Sequence, residues 1–174
     1  NIIVKPSLRA DSVISFTTPS FRDFVSQLAE LSGIKIKCLE DYLNAIDIRL
    51  NLFSDAGCEY ADHSLDAGFR FVPVSSGEAS SLFGKLLQTG EISPAETVKL
   101  QSYVLLFMGR CYARRNWNMQ LHIGAKRDTN TQLRTRLGPA GGYAAIGSAC
   151  DVNSLVCFLD TLNEEDSLPR TILY

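Results

Sequence analysis

The stretch "SPAETVKLQSYVLLFMGRCYARRNWNMQLH", residues 93–122, decides the fold. It opens with a helix start. Ser93 can cap the first turn, Pro94 takes the first helical position where its missing N–H does no harm, and Glu96 follows three residues after the cap. That is a capping box, and it predicts a helix over 94–115. Two residues later the chain turns apolar again over 117–122, too short for a helix, and reads as a strand carrying a lone His122. A long helix feeding a short buried strand is the unit from which parallel sheets are built.

The same alternation extends in both directions. Residues 1–6, "NIIVKP", read as a strand ended by proline. Helices are expected over 20–31, with Ser20 as cap and Gly33 as stop, and over 39–56, where Leu39, Tyr42, Leu43, Ile46, Leu50 and Phe53 form one stripe ended by Gly57. Residues 58–65, "CEYADHSL", read as a strand, 77–89 as a helix, 151–163 as a helix capped by Asp151, and 170–174, "RTILY", as a last strand. No repeat or low-complexity segment interrupts this order. Four strands separated by amphipathic helices predict an α/β fold with a parallel sheet buried on both faces. They fit half of an eight-stranded barrel or a small open sheet.

The totals agree with one globular unit over residues 1–174. The chain is 45% hydrophobic and 21% charged, with a net charge of −2. No basic field is available for nucleic acid, and no apolar run approaches the ~20 residues that span a bilayer. The first residues lack the charged start and cleavage site of a signal peptide. They also lack an initiator Met, which leads us to expect an internal piece of a longer chain. The five cysteines, Cys38, Cys58, Cys111, Cys150 and Cys157, are odd in number and form no CxxC pair. They read as small apolar residues of a cytoplasmic protein.

Parallel α/β folds place their sites at the carboxyl ends of the strands. That rule selects Arg9 after the first strand, Asp62 and His63 at the end of the second, and His122 with Arg127 beyond the third. Both histidines of the chain fall in this set. Arginines bind carboxylates through paired hydrogen bonds, and His and Asp exchange protons near neutral pH, so the set suits an anionic substrate that undergoes proton transfer. Each residue also has a structural alternative. His122 fits a hydrogen-bonded core histidine, Asp62 fits a turn cap near Ser64, and Arg127, Arg134 and Arg136 fit a solvated face. No Walker loop, Rossmann glycine pattern or GxSxG elbow is present.

Five segments carry a family resemblance. "PSLRAD" (6–11), "GCEYADHSLD" (57–66), "YARRNWNMQLHIGAKRDTN" (112–130), "LGPAGGYAAIG" (137–147) and "LPRTILY" (168–174) resemble, in order, the middle of uronate isomerase (glucuronate isomerase), a divergent branch of the amidohydrolase superfamily. The resemblance implies part of a (β/α)8 TIM barrel, roughly strands four to seven, the central part of a metal-dependent domain. It implies interconversion of D-glucuronate with D-fructuronate and of D-galacturonate with D-tagaturonate, in hexuronate catabolism. The reaction is an aldose–ketose isomerisation that moves a proton between C1 and C2. By the same resemblance His122 and Asp62 are the catalytic candidates, and Arg9, Arg127 and His63 the substrate-binding ones. A divalent metal, zinc, is implied for the complete enzyme. Its family ligands, a first-strand His-x-His and an eighth-strand Asp, have no counterpart here, so this chain supplies no metal ligand and is expected to be inactive alone. A homo-oligomer is also expected, since four open strands leave unpaired edges. Leu8 and Ala10 depart from the family's aromatic and proline around Arg9, and Asn116 stands where glycine is common. A metal-dependent hydrolase of the same superfamily and an inactive fragment are the alternatives. A hydrolase wants its strand-end histidines as metal ligands, whereas Arg9 and Arg127 favour the isomerase.

Overall fold

The capping box at Ser93 is formed in the computed structural model, which describes residues 2, 4–66 and 68–174. Ser93 Oγ accepts from the Glu96 N–H at 3.3 Å and Glu96 Oε2 accepts from the Ser93 N–H at 2.7 Å. Lys85 adds its ammonium at 2.8 Å, and together these donors hold the Glu96 carboxyl down at about 2, with the Lys85 bond the largest cause. From this start helix α4 runs Pro94–Arg114, the longest of the fold. It buries Leu100, Val104, Leu105, Met108, Cys111 and Tyr112. Asn116, at φ 54°, turns the chain back so that Trp117 stacks on Tyr112, with ring centroids 5.9 Å apart.

Around α4 the remaining elements follow in order: β1 (Leu8–Arg9), a 3-10 turn (Asp11–Ile14), α1 (Phe21–Ser32), α2 (Leu39–Asp55), β2 (Tyr60–Leu65), α3 (Ser76–Thr89), then β3 (Asn118–Ile123) after α4. Beyond β3 come β4 (Ala125–Lys126), α5 (Thr131–Leu137), β5 (Ala145–Ile146), α6 (Val152–Glu164) and β6 (Arg170–Leu173). The expected helices are all present. Gly33 ends α1 at φ 71°, the left-handed turn that glycine adopts without strain. Gly109 has a different use: a Cβ there would meet Leu162 Cδ1 at 2.7 Å, so the glycine is what lets α6 lie against α4.

The main sheet has the order β1-β2-β3-β6, every pair parallel. Neighbours in the sheet are neighbours among these strands in sequence, as in a barrel wall. Two expectations are corrected here. The strand expected over 1–6 is not found in its described residues, and Asn1 and Ile3 lie outside them; the first strand is the two-residue Leu8–Arg9. The sheet is not buried on both faces. Ala61, His63, Leu65, Met119 and Leu121 are buried, toward the helices, while the alternate positions Tyr60, Ser64, Asn118, Gln120 and His122 are partly or well exposed. A strand's side chains alternate faces, so one face of this sheet is a polar surface within the described residues. Residues 124–150 hold a small antiparallel pair, β4 with β5, and the short helix α5, which carries Arg134 and Arg136.

Candidate functional site

The polar face gathers the site. Register pairs Arg9 with Asp62, Asp62 with Gln120, and Ser64 with His122. Because residues two apart share a face, Asp62 and Ser64 on β2 and Gln120 and His122 on β3 point the same way. His63 lies between Asp62 and Ser64 and must point the other way.

Arg9 is the hub. Its Nε donates to Asp11 Oδ2 at 2.7 Å, its Nη2 to Ser64 Oγ at 2.6 Å, and its Nη1 lies 3.0 Å from Asp62 Oδ2. The Asp11 hydrogen bond is the largest cause holding the Arg9 pKa above its ordinary value. Burial pushes the Asp11 carboxyl up, but the Ser64 N–H and the Arg9 guanidinium outweigh it and leave Asp11 below the usual carboxylate range. The Ser64 backbone N–H reaches Asp11 Oδ1 at 2.7 Å, which fixes the turn after β1 against β2.

Arg127 arrives from the other side. After β3 the chain turns at Gly124, φ 74°, and its carbonyl accepts from the Gly147 N–H at 2.7 Å. The turn carries β4 and Arg127 back over the strand ends. Arg127 Nη2 donates to Ser64 Oγ at 2.7 Å and its Nε to Asp66 Oδ2 at 2.9 Å. Ser64 Oγ therefore accepts from both arginines. Tyr174 completes the group: its hydroxyl donates to Asp62 Oδ1 at 2.8 Å, and its ring packs on His122 with centroids 4.7 Å apart. The Asp62 hydrogen bond, first among the causes, raises the Tyr174 pKa.

Four of the five candidates thus meet in one connected set, Arg9, Asp62, His122 and Arg127. Asp62 sits within β2, three residues before the strand ends, and not at the rim. His63 does not join them. It is fully buried, its Nε2 is 2.8 Å from the Tyr112 hydroxyl on α4, and its Nδ1 has no partner. Burial pushes its pKa down to about 4, against smaller upward effects from Asp11 and Asp62. Expected as a substrate ligand, His63 faces the helix layer because strand alternation puts it there. Asp11, Ser64, Asp66, Gln120 and Tyr174 belong to the site and were not singled out from sequence. Position two from Asp62 and position two from His122 select Ser64 and Gln120 by alternation alone.

An open groove of about 820 Å³ adjoins His122, lined by Gly124, Ala125, Ala145, Gly147 and Ser148 among others. Among the described residues no three His, Cys, Asp or Glu side chains are arranged to hold a metal ion. His122 and Asp62 alone do not make a metal cradle. A second ion-pair cluster is structural: Asp47 on α2 accepts from Arg115 Nη2 at 2.9 Å and from Arg114 Nη2 at 3.2 Å, tying α2 to the end of α4.

Comparison with known proteins places these features. The family described as glucuronate isomerase matches residues 1–174. Uronate isomerases of Caldanaerobacter subterraneus and Caldicellulosiruptor bescii are 38% and 37% identical to the chain over 174 residues, all of this chain and 37% of each relative. The chain therefore spans little more than a third of the length of these relatives. The crystal structure of uronate isomerase from Thermotoga maritima superposes with a TM-score of 0.86 at 26% identity, over 98% of this chain and 37% of that one. Glucuronate isomerase from Caulobacter crescentus gives 0.84 at 26% identity, over 98% and 35%.

Proposed function

Because this chain belongs to the glucuronate isomerase family, with the α/β fold of a section of TIM barrel, we propose that the protein carrying it interconverts aldohexuronates and ketohexuronates. D-glucuronate with D-fructuronate and D-galacturonate with D-tagaturonate are the pairs. The observation that carries the reading is the convergence of Arg9, Asp62, His122 and Arg127 on one polar sheet face, linked through Ser64 and Tyr174.

The chemistry removes a proton from C2 of the open-chain aldose and returns one to C1, while O2 gives up its hydroxyl proton and O1 takes one, so that the carbonyl moves from C1 to C2. A uronate adds a carboxylate that must be held apart from the reacting end. Arg9 and Arg127 retain N–H donors not engaged by their aspartates or by Ser64, and these suit the carboxylate or neighbouring hydroxyls. His122 and Asp62, on the same sheet face, suit orientation and polarisation of the sugar's C1–C2 end by hydrogen bonding. His63, behind the sheet, has no such role.

A divalent metal, zinc, belongs to this reading of the complete enzyme, with ligands outside the described residues. The residues described do not fit a metal site, and no step is assigned to the metal here. The reading also includes membership of the amidohydrolase superfamily, a homo-oligomer, and a cytoplasmic location, which five unpaired cysteines suit. Among the described residues no helix is long and apolar enough to cross a membrane. The test is the full-length protein incubated with D-glucuronate and with D-galacturonate. Ketouronate from at least one is expected, and none from either overturns the reading.

A further inference from the structure

We infer that Ser64 is a positioning residue that sets the spacing and direction of the two guanidinium groups for a carboxylate. The inference rests on the reading of a uronate as substrate. Arg9 and Arg127 come from opposite sides of the site, one at the end of β1 and one beyond β4, more than a hundred residues apart in sequence. Their Nη2 atoms lie 2.6 and 2.7 Å from a single oxygen, Ser64 Oγ. A serine hydroxyl has two acceptor lone pairs, and both are used here. Two like charges do not approach so closely unless something between them accepts from both.

Each guanidinium is also held from behind. Asp11 and Asp62 take Nε and Nη1 of Arg9, and Asp66 takes Nε of Arg127. The aspartates fix the planes of the two groups, and Ser64 fixes the distance between their tips. The N–H bonds not taken by the aspartates or by Ser64 remain for a ligand. A planar fork held in place loses little freedom when a carboxylate binds, which is how rigid arginines gain affinity. Ser64 itself is half-buried and its backbone N–H is bound to Asp11, so its hydroxyl has little room to swing away. Alanine keeps the backbone bond and deletes only the bridge.

The test uses the full-length protein, with KM and kcat for D-glucuronate measured on Ser64→Ala and Ser64→Thr. Ser64→Ala, which removes both hydrogen bonds of the bridge and loosens the two arginines, should raise KM by about tenfold, with kcat within about twofold. Ser64→Thr, which restores the hydroxyl, should return KM to within about threefold of the parent. On an Arg127→Met background, Ser64→Ala should add less than about twofold, because the bridge is already broken. If Ser64→Ala loses its circular-dichroism signature, Ser64→Cys takes its place, keeping the side-chain size with a much weaker acceptor. An unchanged KM in the folded variant overturns the inference. So does an equal rise on both backgrounds. A parent protein that converts neither uronate removes the function reading beneath it, an outcome seen before any variant is made.

Discussion

Acidification should weaken this fold through one buried residue, His63. The ring is fully buried, bound at Nε2 to Tyr112 and without a partner at Nδ1. Burial drops its pKa from 6.5 to about 4, the desolvation of the imidazolium outweighing attraction by Asp11 and Asp62. The sign follows from proton counting. Between pH 6.5 and 4 the unfolded chain takes up a proton that the folded chain refuses, so stability is full above about 6.5 and falls as pH drops. Each tenfold in proton affinity is worth about 1.4 kcal/mol, so a loss of about 3 kcal/mol accumulates by pH 4. That is a large share of a typical stability of about 5–15 kcal/mol.

The control is His63→Gln, which keeps an acceptor for the Tyr112 hydroxyl but does not titrate. Urea unfolding can be followed by Trp117 fluorescence, since Trp117 stacks on Tyr112. Between pH 7 and 4.5 the parent should lose about 2 kcal/mol more than the variant. Asp11, Asp47 and Glu96, whose depressed pKa values withdraw stability as pH falls through the ordinary carboxylate range, are present in parent and variant alike and cancel in the difference. Identical pH slopes for parent and variant would refute the reasoning.

Three further outcomes are expected. His122→Asn in the full-length protein should lower kcat at least about tenfold if His122 aids proton transfer, and parent-level turnover removes it from the catalytic set. Tyr174→Phe in the full-length protein releases Asp62 Oδ1 and should lower kcat/KM by about fivefold to tenfold. Ser93→Ala breaks the capping box of α4 and should cost about 1 kcal/mol in urea unfolding, with uronate KM unchanged.

Most of the helical frame was legible because its residues carry local rules. Ser93, Pro94 and Glu96 specify a start whatever follows, and Gly33 specifies a stop. The short pieces were not legible for an equally physical reason. Leu8–Arg9, Ala125–Lys126 and Ala145–Ile146 are two residues each, too short to show a period, and exist because a neighbouring strand supplies the hydrogen bonds. Helix α5 has no buried residue, so no apolar stripe announced it. In the site, Arg9, Asp62, His122 and Arg127 follow from strand ends and the family resemblance. His63 was misplaced by reading Asp62-His63 as a unit, although adjacent residues of a strand face opposite ways. Tyr174 lies 112 residues from Asp62, and nothing local links them.

Under the proposed function, the charge balance of the site bears on how a carboxylate would be held. Two guanidiniums whose tips bond the same hydroxyl repel one another. Asp11, Asp62 and Asp66 offset that repulsion, so among the described residues this group carries three carboxylates against two cations. Recognition in this arrangement depends on where N–H bonds point, with net charge contributing little. The three carboxylates are not equally tied. Asp11 accepts the Ser64 N–H, and Asp62 accepts the Tyr174 hydroxyl, so both are held whether or not Arg9 is engaged elsewhere. Asp66 has no partner but Arg127 among the described residues and is 41% exposed. An incoming carboxylate therefore competes most easily with Asp66 for Arg127, while Arg9 keeps both of its aspartates and Ser64 keeps the two arginines together.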